Sequence, residues 1–137
     1  MKLNLLTPER KAVYEIEITE VSVPAFKGEI TILPGHAPLM TTLGTGIIKY
    51  KNKGDEKTFK AVISWGYCEV SKDFVNVLAE FIQFPEELIY DNVKEDLKLA
   101  EKKLTTEVLD DAEFTATMNK AEIARAEMEM LRPGYSH

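Results

Sequence analysis

The spacing of hydrophobic residues changes near residue 85, and this change constrains the fold more than any other feature of the chain. Before it, short runs rich in Val, Ile, Phe and Tyr are broken by turn residues, which is typical of antiparallel sandwiches and barrels. After Pro85-Glu86-Glu87, β-branched residues thin out and Glu, Lys, Ala, Leu and Met recur at helical spacing. The sequence therefore predicts an α+β chain, with an N-terminal antiparallel β-sandwich over residues 1–84 and a C-terminal antiparallel two-helix hairpin over residues 85–137.

The first half contains several runs with strand character. Residues 14–21 alternate apolar and polar with period two, which predicts one face on a core and one face in water. Further strands are predicted at residues 28–33, 46–51, 58–63 and 74–81. The stretch 52–55 has hairpin composition, and Gly66 and the Lys72-Asp73 pair indicate other turns. Cys68, the single cysteine, falls in a strand-like run, where a buried, inert thiol is expected.

The first predicted helix has one apolar stripe at positions i, i+4, i+7 and i+11, formed by Val93, Leu97, Ala100 and Leu104. Asp91 is a candidate N-cap, and the helix should end near Leu104.

A second helix is indicated by Asp110 as N-cap with Glu113 three residues later, an arrangement like a capping box. Its apolar side is predicted to comprise Phe114, Met118, Ala121, Met128 and Leu131. Pro133-Gly134 should end it, and residues 135–137 are expected to be a frayed tail.

Charge and composition exclude several kinds of partner. The formal net charge of −6 opposes binding to nucleic acid and to anionic lipid headgroups. No apolar run approaches the roughly 18–20 residues needed to cross a bilayer. The apolar stretch within the first eight residues is too short for a signal peptide. The sequence predicts no direct lipid insertion, a cytoplasmic location, and membrane association only through another protein.

No catalytic or cofactor site is predicted. The chain has two histidines, His36 and His137, and no Cys or His pair has the spacing of a zinc site. Nucleophile elbows, phosphate-binding loops and dinucleotide motifs are also missing from the sequence. We therefore expect a protein that is not an enzyme and that holds neither a metal nor a nucleotide.

The most distinctive stretch is residues 28–39, where a strand runs directly into the turn Pro34-Gly35-His36-Ala37-Pro38. Two prolines around a glycine make a rigid loop. A rigid loop suits either a plain turn or a contact surface, because little entropy is lost when a partner binds it.

Residues 28–39 closely resemble the G-E-[LI]-x-I-[LY]-P-G-H-x-P-L signature of the epsilon subunits of F-type ATP synthases. Residues 21–25, 64–70 and 75–80 agree with this family in order and spacing, so the resemblance spans essentially the whole chain. The family's architecture, a β-sandwich followed by a helical hairpin, is the one predicted above from the residues alone.

The resemblance implies a non-catalytic subunit of the central stalk, peripheral on the cytoplasmic face of the bacterial inner membrane, although a chloroplast origin stays open. Such a subunit clamps the foot of the gamma subunit and rests on the ring of c subunits. Glu29 matches a residue at the c-ring surface, and His36 matches one near the gamma and c-ring contact. The implied contact residues are Glu29, Leu33, Pro34, Gly35, His36 and Pro38.

The resemblance also implies regulation, because in many bacterial members the hairpin can extend toward the alpha and beta subunits and block ATP hydrolysis. Residues available for this role in the last helix are Lys120, Arg125, Met128 and Arg132. Only three of them are basic, against Glu122, Glu127 and Glu129 on the same helix, so weak inhibition is expected.

The sequence departs from the family pattern at two places. Some members bind ATP through an [IL]-D-x-x-R-A motif, whose aspartate and arginine positions are here Ile89 and Asn92. Since the carboxylate and the guanidinium are both missing, we expect no ATP binding by that route. Trp65 stands where the family usually has glycine, which leaves the local strand packing open.

A second interpretation is a free-standing β-sandwich module that binds carbohydrate or peptide, with the hairpin as a dimerisation element. It requires a groove with exposed aromatic residues, for which Trp65, Tyr67 and Phe74 are candidates. It gives the Pro-Gly-His loop no role.

Overall fold

The computed structural model describes residues 1–55 and 57–133, which form a seven-stranded sheet structure followed by two helices. The strands are β1 (Lys2–Leu6), β2 (Lys11–Ala25), β3 (Gly28–Ile32), β4 (Leu39–Leu43), β5 (Gly46–Asn52), β6 (Thr58–Val70) and β7 (Phe74–Gln83). A 3₁₀ turn at Pro85–Glu87 leads to α1 (Tyr90–Thr106) and α2 (Asp111–Leu131). The predicted fold class, a β-sandwich followed by a two-helix hairpin, is confirmed.

Five strands pair in a closed circuit, in the order β1, β2, β5, β6 and β7 with β7 returning to β1. β3 folds back on the second half of β2 and pairs with it in antiparallel orientation, and β4 pairs with the second half of β6. A circuit with an odd number of strands cannot be antiparallel throughout. Accordingly β1 and β7 pair in parallel, whereas the other pairings between the described strands are antiparallel, as predicted for the sandwich.

The core lies inside this circuit and is made of aliphatic side chains from every strand, among them Leu3, Leu5, Val21, Ile48 and Val77. Cys68 belongs to it, as predicted, and burial raises the pKa of its thiol to about 11. A thiol that stays protonated at neutral pH is a poor nucleophile.

Two residues change which face of their strand is buried. Glu15 in β2 and Trp65 in β6 have φ angles of 51° and 50°, in the left-handed region. On either side of them the core residues are five positions apart rather than an even number, at Val13 and Ile18 in β2 and at Ile63 and Cys68 in β6. Each residue therefore shifts the alternation by one place.

The prediction that the apolar residues of 14–21 share one buried face is wrong, since β2 is irregular at Glu15 and again between Ile18 and Glu20. Tyr14 and Ile16 are 51% and 40% exposed, whereas Ile18 and Val21 are buried. The register of β1 against β2 is irregular where the Asn4 carboxamide oxygen accepts from the Glu15 amide at 2.7 Å.

The predicted turns are only partly confirmed. The Asp55 amide donates to the Asn52 carbonyl at 3.1 Å, and Gly54 has a φ of 82°, so the hairpin at 52–55 forms. Lys72-Asp73 joins β6 to β7 as predicted. Gly66 is not a turn but an interior residue of β6, where a Cβ would lie 2.8 Å from the Ala79 Cα and would also clash with the Leu78 carbonyl. Glycine is needed there for strand packing rather than for a turn.

The first helix follows its prediction except at its start. Val93 and Ala100 are buried and Leu97 and Leu104 half-buried, which confirms the predicted stripe. The N-cap is Ile89, not Asp91, which lies within the first turn because the chain leaves its extended conformation at Ile89. α1 ends at Thr106, two residues beyond the predicted end.

The second helix begins where predicted, since the Asp110 Oδ1 accepts from the Glu113 amide at 2.8 Å. Its buried face is rotated from the prediction, however, and consists of Thr117, Ala121, Ala124, Glu127 and Met130. Phe114, predicted on the apolar side, is 49% exposed. The described part of the chain reaches Pro133, beyond the end of α2, and the predicted role of Gly134 and the tail 135–137 lies outside the described residues.

The hairpin packs on the outside of the sandwich, with α2 against β6 and β5 and with α1 against α2. Val62 lies between the core residues Ala61 and Ile63 but is not part of the core cluster, although it is fully buried. It therefore faces outward from β6 and is covered by the hairpin. Within residues 1–55 and 57–133, neither helix is long and apolar enough to cross a membrane.

Candidate functional site

The loop between β3 and β4 forms a tight, exposed turn. Pro34 and Gly35 occupy its central positions, Gly35 has a φ of 86°, and the His36 amide donates to the Leu33 carbonyl at 3.1 Å. Proline followed by a glycine at positive φ is the composition of a type II turn. Residues 33–38 are all exposed, so the structure brings five predicted contact residues together: Leu33, Pro34, Gly35, His36 and Pro38.

The His36 ring is held to its own loop, since its Nδ1 lies 2.7 Å from the Ala37 carbonyl oxygen. A carbonyl can only accept, so Nδ1 carries a hydrogen and donates. This leaves Nε2 as the ring atom that can accept a hydrogen bond from a partner when the imidazole is neutral.

Glu29 lies on β3, apart from the turn. Its carboxylate is 3.2 Å from the Lys49 Nζ on β5, and Glu20 and Lys51 form a second pair nearby at 3.5 Å. These four side chains line a shallow cavity of about 250 Å³. Glu29 is therefore a half-exposed member of a charge-balanced sheet face rather than a free carboxylate at the turn.

An apolar patch follows the turn along the outer face of three strands. We define it as Met40 on β4, Tyr67 on β6 and Leu78 on β7, which are 63%, 43% and 37% exposed. Tyr67 is paired directly with Leu78 and with Thr42, two residues from Met40. Side chains in such direct and diagonal positions are close enough to touch.

A second exposed apolar pair joins Phe26, in the turn between β2 and β3, to Trp65 on β6. The rings of Phe26 and Trp65 meet edge to face, with centroids 5.6 Å apart. Both are partly exposed, at 60% and 40%. Of the aromatic residues proposed for a carbohydrate or peptide face, Trp65 and Tyr67 are exposed, whereas Phe74 is half-buried.

The predicted regulatory residues of α2 do not form one surface. Arg125 lies 3.4 Å from Glu101 on α1, and Arg132 lies 2.8 Å from Glu129 on its own helix. Lys120 is about 140° around the helix from Arg125 at 100° per residue. Met128 is half-buried in the packed hairpin.

A groove of about 690 Å³ runs between α1, α2, the 3₁₀ turn and the end of β7. Ile89 and Asn92, at the positions of the ATP-binding motif, line it. So does Glu127, which the sequence pattern did not single out, because an acid on an amphipathic helix is ordinarily counted with the solvated face. Burial and the nearby Asp96 carboxylate raise the pKa of Glu127 to about 6.

An ion-pair clamp holds the root of the hairpin. The Arg10 guanidinium donates to both Glu87 carboxylate oxygens at 3.0 Å and to the Ile82 carbonyl at 2.9 Å. Glu87 also accepts from the Phe84 amide at 2.9 Å. No local pattern predicts this contact, because Arg10 and Glu87 are 77 residues apart.

Comparison with known proteins identifies the family. A model of the ATP synthase delta/epsilon chain β-sandwich domain matches residues 1–85. The ATP synthase epsilon chain of Bdellovibrio bacteriovorus is 50% identical over 129 residues, which cover 94% of this chain and 92% of that protein. The chain belongs to the ATP synthase epsilon chain family. The Solibacter usitatus epsilon chain is 36% identical, over 89% of this chain and 90% of its own length.

Solved structures share the epsilon-type fold at lower sequence identity. A chain of the Euglena gracilis mitochondrial ATP synthase superposes with a TM-score of 0.85 at 21% identity, covering 96% of this chain and 81% of that one. A chain of the Tetrahymena thermophila enzyme gives 0.68 at 13% identity, with 96% of each chain covered.

Membership of this family confirms the prediction of a non-catalytic subunit of an ATP synthase, peripheral to the membrane. It favours that interpretation over a free-standing carbohydrate or peptide module. The exposed aromatic residues therefore need an explanation within a synthase.

Proposed function

We propose that the chain is a rotor subunit of the ATP synthase central stalk, which couples rotation of the c-ring to the catalytic head through the gamma subunit. The observation that carries this proposal is the exposed, preorganised turn at residues 33–38, set in a chain that is 50% identical to an epsilon chain. The two similar solved structures are described as an OSCP/F1/c-ring assembly and a central stalk/c-ring assembly, which supports the same role. Because the curated relatives compared above are bacterial, we place it on the cytoplasmic face of the inner membrane.

We further propose that the two halves divide the work, with residues 1–84 binding gamma and the c-ring and residues 85–137 regulating. In this proposal the turn at residues 33–38 contacts the c-ring. It suits a contact because the turn is already ordered, so binding costs little conformational entropy. Glu29 contributes there through the carboxylate oxygen that Lys49 leaves available. The apolar patch of Met40, Tyr67 and Leu78 binds gamma, since exposed apolar side chains in a continuous row are typical of protein interfaces.

The docked hairpin is held loosely enough to be released. Outside the sandwich core, the buried apolar side chains at its interfaces among the described residues are Val62, Val93 and Met130, together with three alanines. Each of the larger ones contributes about 1.5–3 kcal/mol, and the cost of ordering the helices offsets part of this. A binding site on the alpha and beta subunits that contacts the hairpin more extensively would reverse such an equilibrium.

In the extended state we propose that Lys120, Arg125 and Arg132 pair with acidic residues of the alpha and beta subunits, with Met128 packing beside them. Arg125 must first give up Glu101, and Lys120 lies about 140° around α2 from Arg125. Both features predict weak inhibition of ATP hydrolysis.

The test is reconstitution with the alpha, beta and gamma subunits and the c-ring of the same synthase. Wild type should co-purify with gamma and restore coupling between hydrolysis and proton movement. Tyr67→Ser with Leu78→Ser should weaken gamma binding at least tenfold, and Pro34→Ala with His36→Ala should weaken attachment to the c-ring. Thr19→Ala, an exposed change elsewhere on β2, is the matched control.

Failure of the wild-type chain to bind gamma or the c-ring would refute the rotor proposal. The regulatory proposal is tested separately by deleting residues 88–137. The assembled enzyme should then hydrolyse ATP faster than with the full chain, and an unchanged rate would refute inhibition.

A further inference from the structure

Glu127 occupies a position that its helix otherwise gives to small or apolar residues. It follows Thr117, Ala121 and Ala124 on the buried face of α2 and precedes Met130. The residue is only 9% exposed, yet among the described residues its carboxylate makes no hydrogen bond or ion pair. A buried carboxylate without a partner is costly in its charged form.

The charged groups around Glu127 do not compensate it. Across the groove on α1 stands Asp96, a second acid. Lys103 on α1 and Lys120 on α2 also line the groove, but each lies seven residues, or about 10 Å along its helix, from the acid on the same helix. The two acids therefore share one end of the groove and the two lysines the other.

Within residues 1–55 and 57–133, the remaining elements around the groove offer no free cation either. Glu87 of the 3₁₀ turn lines the groove and is occupied by Arg10, and β7 contributes the uncharged Phe81 and Gln83. On the strands beneath α2, Lys49 is paired with Glu29, and Lys60 is half-buried, with its pKa lowered by burial. Lys49 and Lys60 both have further partners.

We propose that Glu127, facing Asp96 across the groove, is a proton-dependent latch: the hairpin docks most firmly when Glu127 is protonated and loosens when it ionises. The effect of Glu127 on docking should be present in the isolated chain, without any other subunit. Its consequence in the enzyme, easier extension at higher pH, rests on the proposed function.

The direction and size follow from linkage. Docking raises the pKa of Glu127 from an ordinary 4.5 to about 6, so the docked form binds the proton more tightly. The added stability is complete below the undocked pKa and is lost as the pH rises through the docked pKa. Between pH 5 and pH 7 the docking constant should fall about eightfold.

The experiment is amide hydrogen exchange on the full chain, with protection factors corrected for the intrinsic rate at each pH and measured where reclosing is faster than exchange. Amides of α1 and α2 should lose about eightfold protection between pH 5 and pH 7. Core amides of β6 and β7 should change much less, which separates undocking from global loss of stability. Equal hairpin protection at both pH values would overturn the latch.

Variants assign the effect to the acid pair. Glu127→Gln mimics the protonated form, and should remove the pH dependence and raise hairpin protection at pH 7 several-fold. Asp96→Asn should shrink the dependence, and it serves as the deciding variant if Glu127→Gln fails to fold. Glu95→Gln, an exposed neighbour on α1, should leave the wild-type ratio intact. A wild-type ratio in both Glu127→Gln and Asp96→Asn would refute the proposal, whatever the rotor assays show.

Discussion

Trp65 combines a bulky side chain with a φ of 50°, a conformation that glycine adopts without strain. This agrees with the resemblance noted from the sequence, because Trp65 stands where epsilon subunits usually have glycine. The perturbation that isolates the strain is a comparison of Trp65→Gly with Trp65→Ala. Both variants lose the edge-to-face contact with Phe26 and the same buried ring area, so those losses cancel.

What remains is a difference in backbone energy. A left-handed conformation costs a residue with a Cβ about 1–2 kcal/mol, whereas glycine in an ordinary strand is about 0.5–1 kcal/mol less stable than alanine. Trp65→Gly should therefore be more stable than Trp65→Ala by about 0.75 kcal/mol, within a range of roughly 0–1.5 kcal/mol. At an ordinary strand position the order should be reversed.

Tyr67 supplies that reference, because it lies on the same strand, is similarly exposed, and has no positive φ. Urea unfolding of the four variants measures both differences, and with a slope of about 1–3 kcal/mol/M a gap of this size moves the midpoint by a few tenths of a molar. Alanine equal to or better than glycine at both positions would refute the reasoning about Trp65.

Four further outcomes follow from individual contacts. Gly66→Ala should cost at least about 2 kcal/mol in urea unfolding, because the new Cβ clashes with the Leu78 and Ala79 backbone, whereas Gly44→Ala, with only ordinary contacts to Phe26, should cost much less. Arg10→Ala should cost about 1 kcal/mol at neutral pH. The part of that loss due to Glu87 should disappear in acid, because the pairing lowers the pKa of Glu87 and its contribution ends as pH falls through that value, whereas the part due to the Ile82 carbonyl and the Phe84 ring should remain. Asp110→Ala should speed amide exchange in the first turn of α2 while Asp110→Asn, which keeps an acceptor, should not. Titration calorimetry should find no ATP binding to the isolated chain, and micromolar affinity would contradict the argument from Ile89 and Asn92.

Much of the fold follows from local rules. The change of hydrophobic period at Pro85 correctly predicted the boundary between strands and helices, and Asp110 correctly predicted the start of α2. Both signals depend only on residues nearby in the chain. The two exceptions, Glu15 and Trp65, are also local features, but their residue types do not predict them. Residue type marks neither Glu15 nor Trp65 as left-handed, since a positive φ is expected at Gly, Asn or Asp, and only the glycine usual in the family at position 65 pointed to it. Each shifts the alternation of its strand, so strict period two in residues 14–21 did not predict that Tyr14 and Ile16 are exposed.

The contact loop was easier to predict than the groove. Pro34 and Gly35 define their turn through their own backbone preferences, and the structure shows that turn. The buried face of α2 depends instead on how a helix of small residues is rotated against β6 and α1. Apolar residues alone suggested a stripe through Phe114 and Met128, whereas the packed face passes through Thr117, Ala124 and Glu127. Alanine lets α2 pack closely against its neighbours, and this close packing decides the rotation of the helix more than the burial of Phe114 or Met128. The same rotation buries Glu127 together with the alanines.

The clamp between Arg10 and Glu87 determines where the hairpin can pivot. It fixes the chain from Ile82 to Glu87 against the loop between β1 and β2, through three hydrogen bonds and the contact of Arg10 with the Phe84 ring. The next two residues, Leu88 and Ile89, are extended and precede α1. Rotation about them would separate the helices from β6 without breaking the clamp. Under the proposed undocking, the sandwich with the turn at residues 33–38 would keep its structure, as independent rotor and regulatory roles would require.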